Sequence, residues 1–377
     1  MRREPEGPHY PTKSYRTCRS SWEKIEAMER KTGARNLNGY PRIESIDPGF
    51  ALPGGEVRIS GSGLSPGKTE RAVVRFGEFE GSIIVGSQQF IVARVPDGAA
   101  SGEVVVSTNG KQSNPQKVGV AAPIAESLHP VANPAIDDEG NIYATFSGSR
   151  GQKAPIAIYR IDPHQNVKPF VQEMMNATGL AFGRDGSLYV SSRYDGTVYR
   201  VAKNGTASSY AEGMGIATGI AFDREGNLYV GDRSGTVFKI DRNRQIFVFA
   251  MLEPSVSAYH LAFDSKNNLY VTGPTTSSFD SVYRIDPHGE VSVFYRGLGR
   301  PQGIAFDVHD NLYVAASLNG RRGIVKIAPD KKPSLAIAGH NLVGLAFAPA
   351  GSVVLATNSG VHHLTWGVHG RSLLPVT

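Results

Sequence analysis

The chain has 377 residues, 40% of them hydrophobic and 20% charged, so it can bury a substantial core and is not a disordered polymer. Its single cysteine, Cys18, excludes an intramolecular disulfide framework and a cysteine-cluster metal site. The net charge is +6, but residues 1–40 carry +4 of it, so the remainder is close to neutral and is a poor candidate for binding nucleic acid.

Residues 1–40 form a basic N-terminal segment with one predicted short helix. Trp22, Ile25 and Met28 recur at three-residue spacing on one face, and Gly33 is a suitable stop. Because about three helical turns are marginal alone in water, we expect this helix to dock its Trp22 face on a neighbour or to fray.

Residues 41–121 alternate apolar and polar side chains between glycine-rich turns. Roughly seven short strands in about 80 residues predict a small β-sandwich. No residue in this segment indicates catalysis. The predicted strand residues are Val57, Ile59, Val73, Val74, Phe76, Ile83, Val85, Ile91, Ala93, Val95, Val104 and Val106.

The same segment carries motifs of a known family. They are Pro41-x-Ile43-x-x-Ile46-x-Pro48-Gly49, Gly54-Gly55-x-Val57-x-Ile59-x-Gly61-x-Gly63-Leu64, Val74-x-Phe76-Gly77, Val95-Pro96-Asp97-Gly98 and Gly102-x-Val104-x-Val106-x-Thr108-Asn109-Gly110. Together they resemble the IPT/TIG domain, an immunoglobulin-like fold. The resemblance implies a spacer or an interaction module.

From residue 122 to residue 377 the chain repeats one unit six times. In the clearest copy, Thr178-Gly179-Leu180-Ala181-Phe182 precedes Leu188-Tyr189-Val190 and then Thr197-Val198-Tyr199. A period near 40 residues with three or four alternating strands indicates β-propeller blades, because one blade buries its faces only against neighbours. The sequence therefore predicts a six-bladed β-propeller in which the tyrosine and phenylalanine of each unit fill the wedge between blades. The equivalents of Leu188 are Ile142, Leu228, Leu269, Leu312 and Val353.

The sequence allows two ways of closing the ring. The segment from Arg371 to Val376 can supply the last blade's outer strand, or Ile124 to Glu126 can complete that blade from the N-terminal side. The C-terminal strand is the preferred prediction.

Candidate ligand positions follow from the propeller prediction. The innermost strands line the central channel, so residues around the start of each inner strand, and those at the ends of the second strands, are expected to face the mouth. Their hydroxyl, amide and imidazole groups suit hydrogen bonding to the hydroxyls of a polar or sugar-like ligand. The predicted ligand-binding residues are Thr178, Thr218, Tyr259, His260, Gln302, Asn133, Ser192, Arg193, Asp232 and Asn358, and no catalytic residue or metal ligand is predicted.

The repeats resemble the NHL group and the senescence-marker or gluconolactonase-like group of six-bladed propellers. The resemblance to the gluconolactonase-like enzymes implies one divalent cation in the channel, held by Glu, Asn and Asp just before the Gly-Leu or Gly-Ile step. The matching positions here carry no carboxylate, which a hard cation such as calcium needs. A shifted set of Asp232, Asn133, Asn358 and Gln302 is the alternative, although an acid at Asp232 more often makes a structural turn contact.

His260 stands where the repeat has glycine. A histidine at a channel mouth can be a general base or a ligand. A histidine without a placed partner is more often a packed side chain, and this second interpretation is favoured.

The predicted function is non-catalytic binding of a small polar, sugar-like or protein ligand at the channel mouth or rim. The alternative is a metal-dependent gluconolactonase-like hydrolase with a rearranged ligand set, and a third hypothesis is a purely structural interaction module. No apolar run approaches the roughly 18 residues of a membrane helix, so no transmembrane segment is expected. The visible N-terminus predicts a cytoplasmic protein, whereas the family resemblance favours export or the cell surface, which a misassigned start would allow.

Overall fold

The computed structural model describes residues 40–65, 71–146 and 155–371. The predicted helix at Trp22 to Gly33 lies outside the described residues. Contacts group the chain from Pro41 onward into one compact unit. Among the described residues, no helix is long and apolar enough to cross a membrane.

In the first part of this unit, the described residues form nine short strands. Their alternating apolar side chains, such as Val57, Ile59 and Val104, are buried, as the period-two pattern predicts. All neighbouring strands pair antiparallel except β2, which runs parallel to its partners. The strands are β1 (Arg42–Asp47), β2 (Phe50–Ala51), β3 (Glu56–Ser62), β4 (Val73–Phe76), β5 (Phe79–Gly86), β6 (Phe90–Arg94), β7 (Gly102–Thr108), β8 (Lys111–Gln112) and β9 (Gln116–Val120).

The second part follows the repeat. Its strands are β10 (Ala122–Glu126), β11 (Ala135–Ile136), β12 (Ile142–Thr145), β13 (Ile156–Ile161), β14 (Val167–Gln172), β15 (Ala177–Phe182), β16 (Leu188–Ser192), β17 (Thr197–Val201), β18 (Ala207–Ala211), β19 (Ala217–Phe222), β20 (Leu228–Asp232), β21 (Thr236–Ile240), β22 (Ile246–Met251), β23 (His260–Phe263), β24 (Leu269–Thr272), β25 (Asp280–Ile285) and β26 (Val291–Leu298). They continue as β27 (Ile304–Phe306), β28 (Leu312–Leu318), β29 (Arg321–Ile327), β30 (Pro333–Ala338), β31 (Leu342–Ala348), the 3-10 helix Pro349–Gly351, β32 (Ser352–Thr357) and β33 (Gly360–Thr365).

Within the described residues, these strands form five separate four-stranded sheets, which are propeller blades: β11 to β14, β15 to β18, β19 to β22, β23 to β26, and β10 with β31 to β33. The strands β27 to β30 pair antiparallel in the same way, but they belong to a thirteen-stranded sheet that also contains the first part of the unit. The fold is therefore all-β, with a propeller arrangement.

The preferred prediction for ring closure is wrong. β10 pairs antiparallel with β33, so Ala122–Glu126 occupies the outer position of the last sheet. The backbone N–H of Arg371 instead donates to the carbonyl of Phe306, and residues 372–376 lie outside the described range. The outer edge of β33 is already occupied by β10, so no second strand can take that position.

A two-residue strand joins the two parts of the unit. β2 pairs with β9 on one side and with the outer strand β30 on the other. The N–H of Leu52 donates to Ala338 O at 2.8 Å, and Arg321 bonds both the carboxylate and the carbonyl of Asp47 at 2.6 Å. A Cβ on Gly55 would lie 2.6 Å from Ala338 O, so this approach requires glycine. The nine-stranded part is thereby fixed against one outer edge of the propeller.

The predicted aromatic wedges between units are confirmed. The tyrosine of a second strand packs edge-on against an aromatic ring of an outer strand and a phenylalanine of the next inner strand, with ring centroids about 5 Å apart. At the junction of the last and first units, Val354 takes the tyrosine position. Four wedges follow this description: Tyr143 with Phe170 and Phe182, Tyr189 with Tyr210 and Phe222, Tyr229 with Phe249 and Phe263, and Tyr270 with Phe294 and Phe306. In the fifth, Tyr313 packs against Phe347 and against Trp366, which follows β33 and is not on an outer strand.

Candidate functional site

The predicted ligand positions lie near one end of the propeller. We call this end the mouth face, and it is formed by the connections that leave second strands and those that enter inner strands. The N–H of Arg193 donates to Asn176 O at 3.3 Å and that of Arg233 to Ile216 O at 3.1 Å, so the two kinds of connection pack together. In the second and third blades and at the entry to the fourth, the mouth face comprises residues 173–176, 193–196, 212–216, 233–235 and 252–259.

The threonines of the inner strands are buried and bonded within the protein. Thr178 donates its hydroxyl to Asn176 O at 3.0 Å, and Thr218 donates to Gly231 O at 2.8 Å. Thr218 Oγ1 also accepts the N–H of Tyr259 from the next blade at 3.1 Å. Both side chains are 1% exposed, so neither hydroxyl faces solvent. The Thr178 hydroxyl bonds the connection that enters its own strand, whereas that of Thr218 joins β19 to β20 and to the next blade.

Further hydroxyls bond backbone carbonyls, and two of these, on Ser191 and Thr272, link neighbouring units. Ser191 Oγ donates to Thr218 O, and Thr272 Oγ1 donates to Gln302 O at 2.6 Å. The Tyr259 hydroxyl donates to Glu253 O, and burial raises the pKa of this phenol above its ordinary value. Ser192 donates to Met175 O at 2.9 Å. A series of side-chain hydroxyls therefore satisfies backbone groups of the inner strands and of the connections that enter them.

Asn133 bridges three units at once. Its Nδ2 donates to Ile304 O at 2.8 Å, and its Oδ1 accepts the N–H of Leu345 at 3.1 Å. A Cβ on Gly344 would lie 2.6 Å from Asn133 Cα, and one on Gly303 would collide with Asn133 Oδ1. Asn133 thus occupies a space that Gly303 and Gly344 leave open. Its side-chain amide bonds backbone groups of the protein and is not free to bind a ligand.

The shifted metal set does not fit a divalent cation. Asp232 Oδ1 accepts the N–H groups of Ile216 and Ser234 at 3.0 and 3.1 Å, and Oδ2 accepts the Ser234 hydroxyl. The Nδ2 and the Oδ1 of Asn133 are already bonded to backbone groups of the protein. In the part of the chain that the structure describes, no three His, Cys, Asp or Glu side chains are grouped so that they could hold a metal ion. Asp232 therefore makes a structural turn contact, which is the other interpretation of this acid given by the sequence.

His260 is a packed side chain in the inner wall. It begins β23, pairs with Thr272 and is 3% exposed. Its Nε2 is buried and has no hydrogen-bond partner among the described residues. Burial therefore lowers the pKa of His260 from 6.5 to about 4.

Because the pKa of His260 is lowered, we expect the stability of the folded chain to fall in acid. An unfolded chain binds the proton with a pKa near 6.5, so the stability from neutral His260 is fully present above pH 6.5 and is lost as the pH falls towards 4. The total loss is about 3 kcal/mol. Unfolding midpoints between pH 7 and 4 should fall less steeply for His260→Gly than for the parent chain, and His309→Gln, at an exposed position, should keep the parent slope. An unchanged slope in His260→Gly would contradict this assignment.

Other predicted positions keep unbonded polar groups at the mouth face. The guanidinium of Arg193 and the side-chain amides of Gln302 and Asn358 have no hydrogen-bond partner among the described residues, and Arg193 and Asn358 are exposed. The backbone carbonyl of Asn358 bonds His129 Nδ1 at 2.8 Å. Arg233 is also exposed, and its Nε donates to Ser255 O at 3.1 Å.

A small cleft of about 60 Å³ lies at the opposite end, between the first two blades. It contains none of the predicted ligand positions. Asp137 there is bonded to Asn141 and Tyr143 and is not free for a ligand. Its polar lining comprises Asp137, Asp138, Glu139, Asn141, Arg160 and Lys203.

A set of aspartates that was not predicted from the sequence lies in the turns between the inner and second strands, at the end opposite the mouth face. Asp223 Oδ1 accepts the N–H groups of Glu225 and Asn227, and its Oδ2 accepts Asn227 Nδ2 at 2.8 Å. Asp137, Asp264 and Asp307 repeat the arrangement. The recurrence of Asp four residues before Asn was the available signal.

Comparison with protein families supports the two architectures. Residues 41–119 match the family described as IPT/TIG domain, which confirms that resemblance. Residues 252–280, which include β23 and β24, match a family described as beta-propeller repeat. No curated protein matches the chain.

Solved structures of similar fold cover most of the chain. A protein of unknown function from Bacteroides thetaiotaomicron is 16% identical, with a TM-score of 0.53, covering 88% of this chain and 99% of its own. A putative gluconolactonase is 16% identical, with a TM-score of 0.55 and coverages of 67% and 93%. An auxiliary nutrient binding protein from Bacteroides thetaiotaomicron is 12% identical, with a TM-score of 0.51 and coverages of 86% and 98%. At these identities the likeness shows the fold alone.

Proposed function

We propose that this protein is a non-catalytic binding protein that takes a small polar ligand at the mouth face. One observation carries the proposal. The polar groups of the inner strands, such as those of Thr218 and Asn133, are bonded to the protein itself, whereas those of Arg193, Gln302 and Asn358 are unbonded among the described residues. The proposed site therefore lies on the rim of the mouth and not inside the channel.

The proposed architecture is a complete six-bladed propeller of NHL type over residues 122–377, preceded by an IPT/TIG-like domain over residues 41–121. The register of β27 and β28 supports a sixth blade. Phe306 pairs with Leu312 just as Phe182 pairs with Leu188 in the second blade. Aromatic wedges on both sides of this four-strand run, at Tyr270 and Tyr313, match those between the separate blades.

Thermal unfolding of the full chain with a panel of neutral monosaccharides, uronic acids and sugar phosphates tests the proposed function. A ligand at a hundred times its Kd should stabilise the chain by about 2.7 kcal/mol, which is a rise of several degrees in the unfolding midpoint. Replacing Gln302 and Asn358 together by alanine should weaken the binding of such a ligand at least about fivefold, because two side-chain hydrogen bonds are lost.

The matched control is Glu139→Ala with Lys203→Ala, which alters the cleft at the opposite end. This pair should leave the affinity unchanged. Binding that depends on Glu139 and Lys203 and not on Gln302 and Asn358 would contradict a site at the mouth face. A panel without any stabilising compound would contradict a small polar ligand and would favour a protein partner.

A further inference from the structure

We propose that the ligand of the mouth face is anionic and that Arg193 and Arg233 form a paired guanidinium site for its carboxylate or phosphate group. This inference rests on the proposed function and names the ligand class. Both arginines are exposed, and neither lies within 4.0 Å of a carboxylate in the described ranges 40–65, 71–146 and 155–371.

The fold places the two arginines at equivalent positions of consecutive blades. Arg193 directly follows β16, and Arg233 directly follows β20. The strand that Arg193 follows, β16, is tied to the inner strand β19 of the next blade by the bond from Ser191 Oγ to Thr218 O. The Nε of Arg233 donates to Ser255 O at 3.1 Å, which orients its guanidinium and leaves the terminal NH2 groups for a ligand.

The arginines are not needed to build a blade. The equivalent positions of later units carry Pro274, Ser317 and Asn358. A guanidinium on two successive blades therefore has no role in the repeat itself. It adds positive charge to one side of the mouth.

Among the described residues, no neighbouring acid forms an ion pair with either arginine. Asp232 is used by Ile216 and Ser234, and Asp195 accepts the hydroxyl of Tyr199 at 2.7 Å. Although Arg193 as a residue is exposed, partial desolvation of its guanidinium, followed by the like charge of Arg233, lowers the pKa of Arg193 from its ordinary value. Two guanidinium groups that repel each other are stabilised by a shared anion, and their planar donors match carboxylate and phosphate oxygens.

An aromatic and an aliphatic side chain lie on the connections beside the pair. Tyr194 follows Arg193 and is 64% exposed, and Ile216, whose carbonyl accepts the N–H of Arg233, is 41% exposed. An aromatic ring beside a cationic pair suits a ligand in which the anionic group is attached to a compact body such as a sugar ring. The predicted class is therefore an acidic sugar or a sugar phosphate.

Calorimetric titration of the full chain with glucuronate, glucose 6-phosphate and glucose at low ionic strength tests this inference. We expect the two anions to bind at least about tenfold more tightly than glucose, and their ratio to distinguish carboxylate from phosphate. Added salt should weaken only the anions. Replacing Arg193 and Arg233 together by glutamine should remove this preference, and replacing both by lysine should restore part of it.

Arg224→Gln is the matched control, because Arg224 is an exposed arginine in a turn at the opposite end. It should leave all three affinities unchanged, and unfolding midpoints should confirm that every variant folds. Equal binding of glucose and glucuronate that is lost on replacing Gln302 and Asn358 would overturn the anionic ligand and leave the mouth site standing. Binding of glucuronate that survives both sets of replacements would overturn the inference and the proposed function. Absence of binding by all three probes at 10 mM would overturn the inference.

Discussion

Replacing Asn133 by alanine is expected to destabilise the fold by about 2–5 kcal/mol, because it leaves Ile304 O and the Leu345 N–H without partners inside the protein. Both of these backbone groups belong to residues that are 1% exposed. The alanine also leaves part of the space between Gly303 and Gly344 unfilled. The measurement is the unfolding midpoint in urea and on heating.

The matched control for this prediction is Asn358→Ala. Asn358 was also a predicted ligand residue, but it is exposed and its side-chain amide has no partner among the described residues. Its replacement should change the stability by no more than about 0.5 kcal/mol. If Asn133→Ala unfolded at the same midpoint as Asn358→Ala, the structural role of Asn133 would be wrong.

Removing the tyrosine of a wedge should have an effect at least as large. Tyr189 is 6% exposed, and its ring lies 4.9 Å from those of Tyr210 and Phe222. Tyr189→Ala deletes an aromatic side chain that two blades share, so we expect a loss of about 3–5 kcal/mol. Unfolding in urea, followed by circular dichroism, measures it.

Tyr189→Phe separates ring packing from the hydroxyl. The hydroxyl donates to Asp185 Oδ2 at 3.3 Å, and that carboxylate also accepts from Arg200 at 2.9 Å. Removing it should therefore cost only about 1 kcal/mol. Equal losses in the two variants would show that the hydroxyl, and not the wedge, holds the blades together.

Much of the architecture could be predicted because it repeats. Each copy of the unit places Leu188, Tyr189 and their equivalents on a buried second strand, and a residue pattern seen several times is hard to produce by chance. The repeat pattern could not predict which segment closes the ring. It depends on which of two short segments reaches β33, and the pairing partner of a strand is not contained in its own alternation.

The pairing of β2 that joins the nine-stranded part to the propeller could not be predicted from the sequence either. β2 has only two residues, Phe50 and Ala51, and no periodicity can be seen in so short a strand. Its parallel pairing with β30 is a contact between segments almost 290 residues apart. Only the folded chain brings them together.

The candidate site also could be predicted only in part from the sequence. The sequence indicated which residues stand near the mouth, but it could not show which hydrogen-bonding groups the fold itself uses. Thr218 satisfies Gly231 O and the N–H of Tyr259, and these partners are backbone atoms that any residue provides. The pairing of Arg193 with Arg233 depends on the contact between two blades and so could not be derived from either repeat alone.

One comparison tests the central claim that the inner strands hold the ring and the rim binds the ligand. Asn133→Ala and the double replacement of Arg193 and Arg233 by glutamine should be measured in the same two assays, thermal unfolding and glucuronate titration. We predict that Asn133→Ala unfolds at a lower temperature yet binds glucuronate normally while folded. The arginine variant should keep the parent midpoint and lose about tenfold in affinity. An Asn133→Ala protein with the parent midpoint and no binding would contradict the account, since it would place the ligand inside the channel.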